Sequence, residues 1–188
     1  MRWILGWWRA ASKLTYDSGL RYFQAQINVV ISPESIVLRA AHASEAAAIA
    51  AMSRLHIEHG LTWRWRPSRI KKNIRDPETM VLAATVRGDL AGFAIMKFGD
   101  EDAHLYLLAV HPRFRRHGIG KSMVEWLEKS CRTAGIQRIR LEVRTSNQVA
   151  RKFYERLGYS FVAQVAGYYD GREAAVIMAR SLTQYLTL

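Results

Sequence analysis

Apolar and polar positions follow two periods along this chain, and the periods predict its elements. Alternation, or a short apolar run between turn residues, marks strands at 36–39, 79–86, 90–98, 104–110, 137–143, 159–165 and 174–180. A 3.6-residue period marks amphipathic helices at 43–59, 118–133 and 147–157, and Pro67 suits the first turn of a shorter one at 68–75. In the helix 43–59, Ser44 reads as the N-cap, Gly60 as the stop, and Ala47, Ala51 and Leu55 as part of the buried stripe. Arg87-Gly88-Asp89 reads as a hairpin turn, and residues 99–102 and 167–172 as two more turns. The order strand, helix, helix, three antiparallel strands, helix, strand, helix, strand, strand predicts a mixed α/β sheet. Ser32-Pro33 marks a boundary, so residues 1–35 read as an N-terminal extension and 36–188 as one domain.

Composition narrows this only a little. With 188 residues and 49% apolar content the chain can build one real core. A formal net charge of +12 favours anionic ligands: phosphorylated cofactors, acidic peptides, nucleic acid or a membrane surface. It is equally the charge of a plain solvated basic surface. No apolar run is long enough for a transmembrane segment. The single cysteine, Cys131, lies on the helical stripe with Ile119, Met123, Trp126 and Leu127 and reads as packing. The lack of any internal disulfide fits a reducing, cytoplasmic setting. In the extension, Trp3, Trp7 and Trp8 stand beside Arg2, Arg9 and Lys13, a mixture that suits a membrane interface, a partner, or packing on the domain itself. His56 and His59 have a spacing compatible with a metal pair but lack an obvious third ligand, so no metal is expected.

The most informative stretch is 104–121, HLYLLAVHPRFRRHGIGK. An apolar strand stops at Pro112, a basic loop follows, and Gly118-Ile119-Gly120 opens a helix. The first N–H groups of a helix lack intrahelical partners and bind oxyanions, and glycine lets an anion approach the main chain. Arg115, Arg116, His117 and Lys121 supply charge at the same point. The glycine spacing fits neither the Walker loop nor the Rossmann fingerprint. Arg115-x-x-Gly118-x-Gly120 after a strand and before a helix resembles motif A of the GNAT acyltransferases, which grips the pyrophosphate of acetyl-CoA. Leu141-Glu-Val-Arg-Thr-Ser-Asn147, Phe153-Tyr-Glu-Arg-Leu-Gly-Tyr159 and Gly167-Tyr-Tyr with the following Gly171-Arg-Glu-Ala-Ala-Val-Ile-Met178 are similar in kind and order to the RimI-type protein N-alpha-acetyltransferases.

This resemblance covers about 145 residues and implies the GNAT fold, a mostly antiparallel seven-stranded sheet flanked by helices. It implies acetyl-CoA as co-substrate, lying along the main chain of Leu108, Ala109 and Val110, with Arg115 to Lys121 (Ile119 and Gly120 included) on the pyrophosphate and Asn147 against the cofactor. It also implies a kink in the fourth strand that frees a backbone N–H. Glu142 corresponds to the family's base, direct or through water, and Tyr154 to its acid. Read from the residues alone, Glu142 is equally a surface partner of Arg140, and Tyr154 a core residue. The acceptor is an amine, most readily a peptide or protein α-amine, with a small-molecule amine as the alternative. Trp63, Trp65, Tyr168 and Tyr169 are its expected contacts. Arg64 and Arg66 favour acceptors bearing acidic groups. Asp170 stands where the RimI type often has proline. A nucleic-acid or acyl-CoA binding module without catalysis is the reading from a different class, disfavoured because the usual base-stacking motifs are lacking. A homodimer is compatible with the sequence.

Overall fold

The computed structural model describes residues 36–183; the extension at 1–35, with its tryptophans, lies outside the described residues. Seven strands form one sheet in the order β1-β2-β3-β4-β5-β7-β6: β1 Ile36–Ala40, β2 Thr79–Val86, β3 Asp89–Phe98, β4 Asp102–Val110, β5 Arg138–Arg144, β6 Ser160–Tyr169 and β7 Glu173–Ser181. Every neighbouring pair is antiparallel except β4 and β5. Among the described residues four α-helices flank the sheet: α1 Ala46–His56, α2 Pro67–Arg75, α3 Ile119–Thr133 and α4 Gln148–Arg156.

The two faces of the sheet build two cores. Leu82, Ala84, Ala94, Met96, Leu105, Ile139, Leu141 and Val143 face α3 and α4, meeting Met123, Leu127 and Tyr154. Val81, Ala83, Phe93, Ile95, Leu107 and Ala109 face α1 and α2, meeting Ile49, Ala50, Trp65 and Ile70. Strict alternation would keep Leu105 and Leu107 on one face. They lie on opposite faces because β4 carries one extra residue: Ile95 pairs with Leu107 and Met96 with Leu105, which leaves Tyr106 as a bulge. Tyr106 and Leu107 consequently both turn toward the α1/α2 core.

Several expectations need correction. The helix placed at 43–59 divides into a 3-10 turn, Ala43–Glu45, and α1. Ser44 is not its cap. His42 takes that position, and its backbone N–H donates to Glu45 Oε2 at 2.7 Å. The stripe of Ala47, Ala51 and Leu55 faces solvent, Leu55 with 64% exposure, while Ala46, Ile49, Ala50, Met52 and Ser53 face inward. A run so rich in alanine satisfies the helical period on either side, and the bulkier Ile49 and Met52 decide which side is buried. The turn placed at 167–172 begins later, because β6 continues through a register slip to Tyr169. Arg87 and Gly88 form the expected hairpin turn, both at positive φ (52° and 87°), the geometry of the two-residue turn that matches strand twist.

Candidate active site

The parallel ladder between β4 and β5 has only four pairs, from Asp102↔Arg138 to Leu105↔Leu141. It stops at the Tyr106 bulge. Beyond it the strands part, and a cavity of about 380 Å³ opens between them, lined by Leu105 to Leu108 of β4, Leu141 to Arg144 of β5, and His56, Asn147, Tyr154 and Tyr169. The opening passes through the sheet, so side chains from both cores reach one space.

Glu142 comes from the α1/α2 face. Its neighbours Leu141 and Val143 pack on the other face, as alternation requires. Glu142 Oε2 lies 2.5 Å from His104 Nε2, and Oε1 lies 3.4 Å from Arg140. Both side chains of the His104–Glu142 pair are mostly buried. The His104 ring stands 4.4 Å from Tyr106, which in turn stands 5.7 Å from Trp65. The plain surface pair of Glu142 with Arg140 is therefore only part of its environment. His104 gave no signal in the sequence, since its meeting with Glu142 depends on the parallel β4–β5 register.

Tyr154 comes from the opposite face. It is buried in the α3/α4 core, edge-on to Phe153 at 5.0 Å and Tyr159 at 5.5 Å, and it lines the cavity. Burial pushes its phenol well above the usual range, and Tyr169 adds to the shift. Tyr169 is raised in the same way, by burial first and then by Tyr168 and Glu142. Tyr168 meets Tyr169 edge-on at 5.0 Å and is 44% exposed.

At the far end, the loop after β4 makes a tight basic crook. Arg116 and Gly118 both adopt positive φ (69° and 80°), and Gly118 caps α3. Arg115, Arg116, His117 and Lys121 are exposed there. Arg115 Nε donates to Val110 O at 3.0 Å, folding that side chain back on the strand end. Ile119 contributes only main chain to this surface, since its side chain is buried among the α3/α4 core residues. Gly120 is needed for closeness: a Cβ there would fall 3.3 Å from the Phe153 ring. Asn147 Oδ1 accepts from Ala150 N at 3.0 Å, so this residue caps α4 at the cavity's edge.

The loop between α1 and α2 flanks the cleft on the α1/α2 face. Glu58, 5% exposed, organises it. Its Oε1 accepts from the backbone N–H of Arg64 (2.7 Å) and of Trp65 (3.2 Å), and its Oε2 accepts from Ser53 Oγ (2.9 Å). Asp170 on the β6–β7 turn reaches the same loop, accepting from Thr62 N at 2.6 Å and Arg64 Nη2 at 3.0 Å. The residue that departs from the RimI pattern is thus a tether. Trp65 is 8% exposed, with Arg69 stacked 4.0 Å above its ring, and it bears on the cleft through Tyr106. Trp63 is half-buried against the same core. Glu58 carried no sequence signal either, as a lone acid after a helix looks like solvated surface.

Cys131 is buried with its Sγ 3.5 Å from Met96 Sδ, and burial pushes its thiol up to about 12. It is packing. No described helix is long and apolar enough to cross a membrane.

Known proteins share this architecture. The chain is 39% identical over 98 residues to the ribosomal protein bS18-alanine N-acetyltransferase of Escherichia coli strain K12, a stretch that is 50% of this chain and 66% of that protein, just under two thirds of its length. A crystal structure of the ribosomal-protein-S18-alanine N-acetyltransferase from Escherichia coli superposes with a TM-score of 0.66 at 29% identity, covering 81% of this chain and 98% of that one. Ard1 from Thermoplasma volcanium superposes with a TM-score of 0.70 at 26% identity, covering 79% and 99%. Residues 45–159, from the turn before α1 to the start of β6, match the acetyltransferase (GNAT) family, and with the parted strands and the glycine crook in place the chain belongs to that family.

Proposed function

We propose that the cleft transfers the acetyl group of acetyl-CoA to the N-terminal α-amine of a peptide or protein, by direct attack while donor and acceptor are both bound. The observation that carries this reading is the split between β4 and β5, which admits Tyr154 from one face of the sheet and Glu142 from the other. The similarity to a protein-alanine N-acetyltransferase supports an α-amine acceptor.

The residues fit such a donor. The glycine crook with Arg115, Arg116, His117 and Lys121 offers amides and cations to a diphosphate. The edge of β4 past Leu105, with Leu108, Ala109 and Val110, runs beside the cavity without a β5 partner and offers backbone groups to an extended amide-bearing arm. Acetyl-CoA supplies an activated acyl carbon in its thioester.

The protein's part is proton management and orientation. An ammonium must lose a proton before its nitrogen can attack. Glu142 takes that proton, directly or through a water, and His104 at 2.5 Å holds the carboxylate and shares the charge change. Negative charge grows on the thioester oxygen as the amine attacks, and backbone N–H groups at the β4 bulge stabilise it. As the C–S bond breaks, Tyr154 donates its proton to the departing sulfur, and the proton that the nitrogen sheds in becoming an amide restores the phenol. Burial raises the phenol's pKa, so it is protonated at neutral pH and gives up its proton only as thiolate charge develops beside it. Tyr168, Tyr169 and Trp63 shape the acceptor's approach, and the Asp170 tether holds the opposing loop against them.

Mass spectrometry of a library of short peptides incubated with acetyl-CoA tests this. The expected result is one added acetyl group on the α-amine, strongly reduced in Tyr154→Phe. Acetylation of small amines with none on any peptide would overturn the acceptor assignment, and full turnover by Tyr154→Phe would overturn the acid assignment.

A further inference from the structure

The excess positive charge is not confined to the donor crook. Between Arg64 and Arg75 there are six cations and no acid. In α2, Ile70 and Ile74 pack on the core, which turns Ser68, Lys71, Lys72 and Arg75 outward. Their spacing, i, i+3, i+4 and i+7, places them in one row, about 10 Å long at 1.5 Å per residue. This row borders an open hollow lined by Ser68, Lys71, Lys72, Arg75 and Asp76. Asp76 does not neutralise the row. Its carboxylate accepts from Thr79 Oγ1 at 2.9 Å and Glu78 N at 3.0 Å and lies 3.5 Å from Lys97. Lys71, Lys72 and Arg75 form no ion pair among the described residues. Arg69 and Arg66 lie against Trp65 and Trp63, at 4.0 and 5.9 Å, which holds two further guanidinium groups beside the row.

These charges do not serve the donor. Ile70 of α2 belongs to the core on one face of the sheet, whereas Met123 and Leu127 of α3, whose N-terminus forms the crook, belong to the core on the other. A diphosphate held at Gly118 cannot also lie along α2. We propose that the outer face of α2 is a docking surface for a nucleic-acid phosphate backbone, recognised without regard to base sequence. The kind of residue missing from the row selects this partner. Stable protein interfaces have an apolar core and helices lying in a bilayer insert apolar side chains, and the outward row from Ser68 to Arg75 presents none. A phosphate backbone is bound by cations alone, through release of its condensed counterions.

The surface is independent of acetyl transfer, so its test does not depend on the acceptor. Fluorescence anisotropy of a labelled 20-nucleotide RNA strand is measured with the full chain across a potassium chloride series. The same series is run with Lys71→Gln/Lys72→Gln/Arg75→Gln and again with saturating coenzyme A. Wild type should bind with steep salt dependence. Loss of three phosphate contacts should reduce the slope of log K against log salt by about 2 and weaken binding at least tenfold near physiological salt. Acetylation of a short peptide by the variant should be unchanged, which shows that it is folded. The proposal is overturned if the variant binds RNA with the wild-type slope, or if coenzyme A displaces the RNA, which would place the polyanion in the donor crook. It is likewise overturned if polyglutamate or phosphatidylserine vesicles of equal charge bind more tightly than RNA, which would make the partner an acidic chain or a membrane.

Discussion

Replacing Glu58 by alanine should unlatch the loop between α1 and α2. The Glu58 carboxylate is buried and accepts three hydrogen bonds, from the N–H groups of Arg64 and Trp65 and from Ser53 Oγ. Alanine would strand two backbone donors and a hydroxyl. A buried donor or acceptor left unpaired costs about 1–3 kcal/mol, so after local relaxation the sum is about 3–5 kcal/mol, a large part of a domain's stability. Glutamine has the same shape. Its carbonyl oxygen can accept from Arg64 and Trp65 while its NH₂ donates to Ser53 Oγ, which leaves only the loss of charge assistance, about 1 kcal/mol. The assay is urea denaturation of wild type and both variants, with Michaelis constants for peptide and for acetyl-CoA measured on whatever folds. The expected order is wild type, then glutamine close behind, then alanine far below. The glutamine variant should show a raised constant for the peptide and an unchanged one for acetyl-CoA, because the loop flanks the proposed acceptor approach. Equal losses for glutamine and alanine, or a loss below about 1 kcal/mol for alanine, would refute the claim that hydrogen-bond geometry at Glu58 holds this loop.

Four further outcomes follow from the same geometry. Tyr154→Phe keeps the ring packed on Phe153 and Tyr159, so calorimetric binding of coenzyme A and the melting curve should barely change while kcat falls by about 10²–10⁴. His104→Ala should lower kcat/KM for a peptide and reshape its pH profile without altering coenzyme A affinity; an unchanged profile would remove His104 from the proton path. The Asp170 carboxyl is held below its ordinary value, chiefly by the Thr62 backbone N–H. A depressed carboxyl contributes to the folded state above its unfolded pKa and loses that contribution as pH falls through the lowered value. The Thr62 amide should therefore lose exchange protection below about pH 4, and Asp170→Asn should abolish that pH dependence. Cys131 should resist iodoacetamide at pH 8 until urea unfolds the chain, given a buried thiol pushed up to about 12.

What the residues alone disclosed depended on how local the cause was. Strand boundaries such as Thr79–Val86 and the Arg87-Gly88 turn are written in alternation and backbone preference, and they appear where the pattern put them. The crook at Gly118 was equally legible, because a strand, a basic loop and two glycines adjoin in sequence. The buried side of α1 was not, since its alanines carry almost no directional information. Neither was His104 beside Glu142, which depends on a register between two strands 38 positions apart. Asp170 looked like a departure from a pattern until the loop it ties came into view 108 positions earlier. The depth of the aromatic loop was not legible either: Trp65, expected as an acceptor contact, is a core residue that carries Arg69 on its outer face and reaches the cleft through Tyr106.

The short ladder between β4 and β5 has a mechanical consequence. Four strands on one side and three on the other meet over only four residue pairs, and that meeting is fastened at its base by Arg138, which donates to both Asp102 oxygens at 2.9 and 2.6 Å, and by Gln137 N to Glu101 O. The two halves are arranged like the arms of a peg joined at one end. A guest lodged between them would supply the hydrogen bonds that the strands themselves forgo, so cargo and scaffold would reinforce each other, and the loaded form should resist unfolding in proportion to the logarithm of cargo concentration.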